Sequence, residues 1–310
     1  MKIQKIRTAI RPGTKADPTS VDKLERGAMR EFAKRIRRIS KGYIQLLNRI
    51  PSEPVVNSKY QFDLDPNYLS ILLRDGELMV DEVLLNGGEF GNFLFLEYVS
   101  TAYERGTAQQ YANLAAQQST VYAATQQSVA TILMSEPYQL RMALVRARVF
   151  EEMKGLSGQV KADMARILTD GIARGLNPRE VARNLTNQSG IETRRANRIA
   201  RTEITSALRR ARLDEADEAK EILGLETREI HVSALSPTTR ANHAARHGKM
   251  FTSDEQRDWW ARDANSINCK CSTVTVLVDK DGKPYNKTLI NKLLEEKEAM
   301  KERGYQWAEE

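Results

Sequence analysis

Cysteine, histidine and tryptophan are scarce in this chain of 310 residues, which has two, three and three of them. Two cysteines exclude a disulfide scaffold and make a reducing compartment the default expectation. Aromatic residues stop at 6%. No apolar run approaches the ~20 residues that a membrane-spanning helix needs. The basic opening MKIQKIRTAIRP is followed by no apolar segment of the secretory kind, so a protein soluble when made is expected. A phosphate-binding loop is missing too. NGGEFGN at 86–92 has neither the Lys-Ser/Thr of a P-loop nor dinucleotide spacing, and reads as a turn between helices. Residues 106–135 hold no charged side chain, and residues 174–213 hold no lysine.

Hydrophobic residues at 41% and charged residues at 29% suit a helical chain with core enough for one large domain or two ordinary ones. The net charge of +7 is uneven. Residues 1–50 carry 14 Lys/Arg against 4 Asp/Glu, so the rest of the chain sums to −3. Inside that remainder, residues 174–213 hold ten Arg and three Glu. Such patches fit nucleic acid or an acidic protein surface. The candidate contacts are Lys34, Arg35, Arg37, Arg38 and Lys41, then Arg194, Arg198, Arg201, Arg209 and Arg212.

After a polar arm with Pro12, Gly13 and Pro18, the spacing of Leu24, Phe32, Ile36, Ile39, Tyr43 and Leu47 predicts a basic amphipathic helix to Ile50. Pro51 and Pro54 open a loop to Leu64. Asp65-Pro66 reads as an N-cap with proline at the first helical position. In the uncharged stretch, Tyr111, Leu114, Gln118, Val121, Thr125, Val129 and Ile132 alternate by threes and fours, predicting one long helix with protein on more than one side, in an oligomer or against a partner. A segment entering a membrane or channel is the sharper alternative. Pro137 is expected to end that helix, and Gly155 and Gly158 to mark a boundary. Asn177-Pro178-Arg179-Glu180 and Ser189-Gly190-Ile191-Glu192 each read as a helix start, the second opening a long helix to about Leu223. On it Ala196, Ala200, Ala207 and Ala211 form a small-residue seam that also carries Glu203, a carboxylate needing a partner if buried. TREIHVSAL and CSTVTVLV then alternate as strands do, with an irregular crossover between them that includes Trp259-Trp260.

Both cysteines lie in INCKC, one residue apart. His243 and His247 are four apart, so a helix would point both one way. Together His243, His247, Cys269 and Cys271 make a candidate Cys₂His₂ zinc set. Thiols packed at a strand end are the alternative, and a disulfide across one residue would be strained. A hydrolytic site would draw on Glu203, Arg240 and His243 with a metal.

Three ordered motifs, Ala200-Arg-Thr-Glu203, Thr239-Arg240-x-x-His243 with Gly248, and Asn268-Cys-x-Cys271, resemble the Mu F-like minor head proteins, a family of tailed-phage head morphogenesis proteins. The resemblance covers residues 155–278. It departs at Ser236 and Pro237, where the family carries acids, and at His247, which replaces an acid before the glycine. With the periodicities above, a mainly α chain is expected, with a helical N-terminal region followed by a small α+β C-terminal Mu F-like domain. The expected organisation is a basic arm and helix (1–50), a helical region (51–154), the Mu F-like domain (155–285) and a helical tail (286–310). The implied role is that of a minor virion component, multi-copy near the portal and in host cytoplasm during assembly, with portal protein, capsid and packaged DNA as partners. A structural protein is expected rather than an enzyme. A metal-dependent nuclease and an ejection protein forming part of a conduit are the alternatives.

Overall fold

The structure is a computed structural model that describes residues 6–56, 59–118, 120–121, 128–305 and 307. The chain is mainly helical, with small antiparallel sheets. It divides into two compact units. One comprises residues 1–25, 99–143 and 201–310, and the other comprises 26–98 and 144–200.

The second of these units is built from helices. Helix α1 (Asp22–Leu47) supplies it with Phe32, Ile36, Ile39 and Tyr43, all fully buried at the predicted spacing. The expected loop after Pro51 is instead a short antiparallel ribbon, β1 (Ser52–Pro54) with β2 (Tyr60–Phe62). Helix α2 (Pro66–Leu85) starts as read from the sequence: the Asp65 carboxylate accepts from the Asn67 and Tyr68 amides. The turn at 86–92 contains one short helix, α3 (Gly88–Gly91), entered through Gly87 at φ 82°. A π turn (Phe95–Val99) then leads to α4 (Ser100–Gln117).

The uncharged stretch is not one described helix. It comprises the end of α4 and a short α5 (Val129–Leu133), while Thr125 lies outside the described residues. Pro137 begins a helix rather than ending one. It sits in the first turn of α6 (Glu136–Ala173), where a missing amide hydrogen has no cost, and α6 runs straight through Gly155 and Gly158. Helix α7 (Pro178–Leu223) is likewise continuous. Asn177 caps it by accepting from the Arg179 amide. The second start signal fails because the Ser189 hydroxyl donates back to the Thr186 carbonyl at 2.6 Å, a bond available only inside a helix. Glu192 is fully buried and takes Gln188 and Arg195 as partners instead.

In the first unit, β3 (Thr227–Val232) pairs with β5 (Ser272–Leu277) over six residues and with the two-residue β4 (Met250–Phe251) on its other side, giving the order β4-β3-β5. Between them lie α8 (Ala241–Arg246) and α9 (Ser253–Ala261), and α10 (Thr288–Lys301) follows. One sheet face is apolar. Ile230, Val232, Val274 and Val276 pack with Leu289 and Leu293 of α10. The opposite face carries Glu229, His231, Thr273 and Thr275, and it too is buried. Alternation in the sequence predicted this pleat, but not that its polar side would be covered.

The cover explains the missing charges. On the edge of β5 away from β3, the Gln117 amide accepts from Leu277 N–H at 3.1 Å and donates to the Thr275 carbonyl at 3.0 Å, as a neighbouring strand would. Asn113 donates to the same carbonyl, and Gln110 donates to the Thr275 hydroxyl. Arg212 of α7 donates to the Thr273 carbonyl and the Ser272 hydroxyl. Neutral amides satisfy a buried edge without the desolvation cost of a charge. Helices α4 and α7 approach closely here. A Cβ on Gly106 would lie 2.5 Å from the Leu208 carbonyl oxygen. Along residues 110–117, the protein expected against this stretch is thus the chain's own sheet.

Replacing Gln117 by Leu removes the partner of the Leu277 amide and one of the two donors to the Thr275 carbonyl, which keeps Asn113. A loss of about 1–3 kcal/mol is expected, read as a lowered urea midpoint, with Gln118→Leu as the neighbouring control. Glu229 gives a pH signature. Burial pushes its carboxyl up to about 7. The unfolded chain releases this proton from about pH 4.5, whereas the fold retains it to about 7. Glu229 therefore contributes its full stability below pH 4.5 and loses it as pH rises to 7, by about 3 kcal/mol. Glu215, also pushed up to about 7 by burial, adds a decline of the same sign. Glu229→Gln is expected to flatten part of that decline in urea titrations at pH 5, 6, 7 and 8.

Candidate metal centre

The site is built around residues 262–271, which the fold holds in an otherwise unfavourable path. Asp263, Ala264 and Asn268 have φ of 51°, 53° and 53°, the left-handed region, where asparagine is among the better-tolerated side chains. The three sequence motifs meet on this segment. Thr202 accepts from the Asn268 amide at 3.0 Å, and Arg201 donates to the Asn268 side-chain oxygen at 2.7 Å while pairing with buried Glu25. Arg240 donates to the carbonyls of Ala264, Asn265 and Ile267. Thr239 accepts from the Ser236 amide, fixing the turn that presents Arg240. Gly248 has φ 79°, and a Cβ there would meet Leu294 at 2.9 Å. Its amide and the Lys249 carbonyl bond to either side of His231, tying the end of α8 to β3.

So held, the segment delivers both thiols to His243. The imidazole Nδ1 lies 3.4 Å from Cys269 Sγ and 3.4 Å from Cys271 Sγ. All three residues are buried. A tetrahedral zinc with Zn–N ~2.0 Å and Zn–S ~2.3 Å would set its N and S ligands ~3.5 Å apart, so the spacing suits a shared ion. The two sulfurs share protons as well. A hydrogen bond from Cys271, with His243 and Arg209 nearby, holds Cys269 well below the usual thiol range. That same bond and burial push Cys271 well above it.

The fourth residue differs from expectation. Helix α8 ends at Arg246, so His247 is itself the cap residue, with ψ 126°, instead of continuing the helix one turn beyond His243. Its Nδ1 accepts from the Ser233 amide at 3.0 Å, and burial lowers its pKa to about 4. His231 of β3 takes the place instead. Donor atoms of His231, His243 and Cys271 lie within 4.8 Å of one another. Sequence spacing could not flag His231, because strand pairing across 40 residues brings it opposite Thr273.

His231 has Nδ1 engaged by Gln256 at 3.0 Å, and its Nε2 is buried without a partner. Burial lowers its pKa to about 3, so it is neutral at physiological pH. Arg246 donates to Gln256 Oε1 at 2.5 Å, which leaves the Gln256 NH₂ group to face Nδ1. The His231 proton then sits on Nε2. Ligation through Nε2 requires the amide to turn so that its oxygen accepts from Nδ1–H. His231, His243 and Cys271 form a His/His/Cys donor set of the kind a transition metal takes, with Cys269 Sγ 3.4 Å from His243 Nδ1 and Gln256 against His231 Nδ1. Trp259 closes the cluster, its ring 4.6 Å from His243 and 5.0 Å from His231.

The remaining candidates disperse. Arg209 and Arg212 are 2% exposed and cannot meet an external polyanion. Arg209 stacks over Trp260 at 4.5 Å, and burial lowers Arg212 to about 10. Arg194 and Arg198 are exposed. On α1, Lys34, Arg37, Arg38 and Lys41 are exposed, whereas Arg35 is half-buried, stacked over Phe93 and bonded to Glu31. Glu203 is buried and has an interaction partner. The hydrolytic trio Glu203, Arg240 and His243 therefore includes an arginine whose guanidinium clamps a loop. No helix among the described residues is long and apolar enough to cross a membrane.

Gln256→Glu is expected to bind zinc tenfold or more tighter than the parent, because a carboxylate accepts from Nδ1–H without turning and still pairs with Arg246. Competition with a chromogenic chelator measures this, and unchanged affinity would remove His231 from the ligand set.

Comparison with known proteins places a family on this region. Residues 162–274 match the model of Phage Mu protein F like protein. The match falls within the 155–278 span of the resemblance read from the three motifs. The chain matches no curated protein and no solved structure.

Proposed function

We propose that this chain, carrying a Mu F like domain at 162–274, is a minor head morphogenesis protein of a tailed phage that works as a structural component near the portal. The observation that carries the reading is the convergence of the family's three motifs on one buried segment. Arg201, Thr202 and Arg240 direct their polar atoms to residues 264–268, and His243 faces the thiols. Side chains committed to holding a loop favour a structural module over a hydrolase. The partners are portal protein and capsid. Exposed Lys34, Arg37, Arg38 and Lys41 supply a surface for packaged DNA or an acidic protein face. A conduit role is disfavoured because the described amides of α4 are bonded to β5.

Within this reading a zinc ion bound by His243, Cys269, Cys271 and His231 would act as a clamp, supplying cross-links to a small sheet with a polar inner face. The residues themselves position the loop, exclude water through Trp259, and keep the His231 imidazole neutral.

Co-expression with the portal protein of the same phage tests the role. Stable co-purification, reduced at least tenfold by reversing Lys34, Arg37, Arg38 and Lys41 to Glu, is expected. A chain that never associates with portal or heads would exclude it. Metal analysis of the full chain should give about one zinc, lost in Cys269→Ser/Cys271→Ser. DNA nicking that persists in purified protein and disappears in Glu203→Gln would favour the nuclease instead.

A further inference from the structure

Beside the thiol–imidazole cluster lies a cavity of about 590 Å³ that this role leaves unused. Its volume is within the range of small-ligand sites. Five cations line it, Lys15, Arg201, Arg240, Lys270 and Arg303, and no carboxylate does. Two are compensated nearby, Arg201 by Glu25 at 2.8 Å and Lys270 by Asp22 at 2.8 Å. Among the described residues no carboxylate pairs with Lys15, Arg240 or Arg303. The cavity lining therefore holds about three positive charges without a carboxylate partner among the described residues, and a concave, low-dielectric surround strengthens their field.

The other walls are distinct in character. Leu235, Met300 and Tyr305 line the cavity with apolar surface. Asn268 contributes a donor: Arg201 occupies its side-chain oxygen, and among the described residues its NH₂ group has no acceptor. Cys269 and His243 form part of the floor.

We propose that this cavity binds a phosphate monoester carried on a small organic body, with the phosphate against Lys15, Arg240 and Arg303 and the body against Leu235, Met300 and Tyr305. A phosphate monoester carries close to two negative charges at neutral pH and several acceptor oxygens. That matches three cations without a carboxylate partner, of which Arg240 also holds the loop carbonyls of Ala264, Asn265 and Ile267, and an amide donor better than a single carboxylate does. A nucleotide and the 5′-phosphorylated end of a DNA strand share this chemistry. The proposal is independent of the head-assembly reading, since it rests on the cavity alone.

Calorimetry on the full-length chain tests it, before and after chelation of metal, with deoxyadenosine monophosphate, deoxyadenosine and inorganic phosphate. A 5′-phosphorylated tetranucleotide and its 5′-hydroxyl form make the second arm. The nucleotide should bind in both metal states, and the nucleoside should not. Lys15→Ala/Arg303→Ala should weaken binding at least tenfold while leaving circular dichroism and metal content unchanged. Binding of the phosphorylated strand in preference to the mononucleotide supports the same site with a DNA end as its source. Absence of heat with every phosphate at millimolar concentration overturns the proposal. So does equal binding of the nucleoside, indifference to the double variant, or loss of binding on chelation, which would place the anion on the metal.

Discussion

A buried strand whose outward amides and carbonyls meet helices must find partners among side chains, and β5 sets that demand here. Gln117, Asn113 and Arg212 meet it. Much of the first unit follows. The inner face of α4 must be polar, to bond, and uncharged, to be buried. The helices must come close enough for short amides to reach, which the absence of a side chain at Gly106 allows. Arg212 is admitted despite complete burial because a strand carbonyl and a hydroxyl receive its donors and buried Glu229 opposes its charge. Satisfied networks of this kind fix one arrangement, since any slip of register leaves several groups unpaired at once.

The same economy of polar contacts organises the cysteine segment. Left-handed turns at Asp263, Ala264 and Asn268 cost free energy wherever they stand alone. Arg240 and Thr202 stabilise them by bonding the backbone groups that the turns expose. Each motif residue has a separable task, yet all act on about eight residues of chain. The thiols reach His243 only because that path is held.

Features governed by local rules were legible in the sequence. Asp65-Pro66 and Asn177-Pro178 start helices where capping chemistry says they should. The alanine seam at 196, 200, 207 and 211 is buried, and both long strands lie where alternation put them. The motif resemblance fell on the region that the family model matches. Features that depend on contacts distant in sequence were not legible. Ser189 has two uses, as a cap or as a donor to the preceding turn, and continuous helical packing selects the second. The arginines at 209 and 212 share a stripe with 194 and 198, but only the fold determines which part of one helix is covered. His247 was expected in the cluster on an assumption of unbroken helix, and one cap residue removes it. His231 enters through strand pairing, to which spacing along the chain is blind.

The sheet's borders also constrain how this unit can meet another protein. β5 has its outward groups taken by side chains, and β4 is two residues long, with Arg246 stacked on Phe251 at 3.5 Å. Neither border presents the row of open amides and carbonyls onto which a foreign strand could zip. Recruitment by strand addition is closed to it, as is runaway polymerisation along the sheet. Any neighbour of this unit must recognise side chains on its helices and loops, so its choice of partner can change by surface substitution while the sheet beneath stays the same.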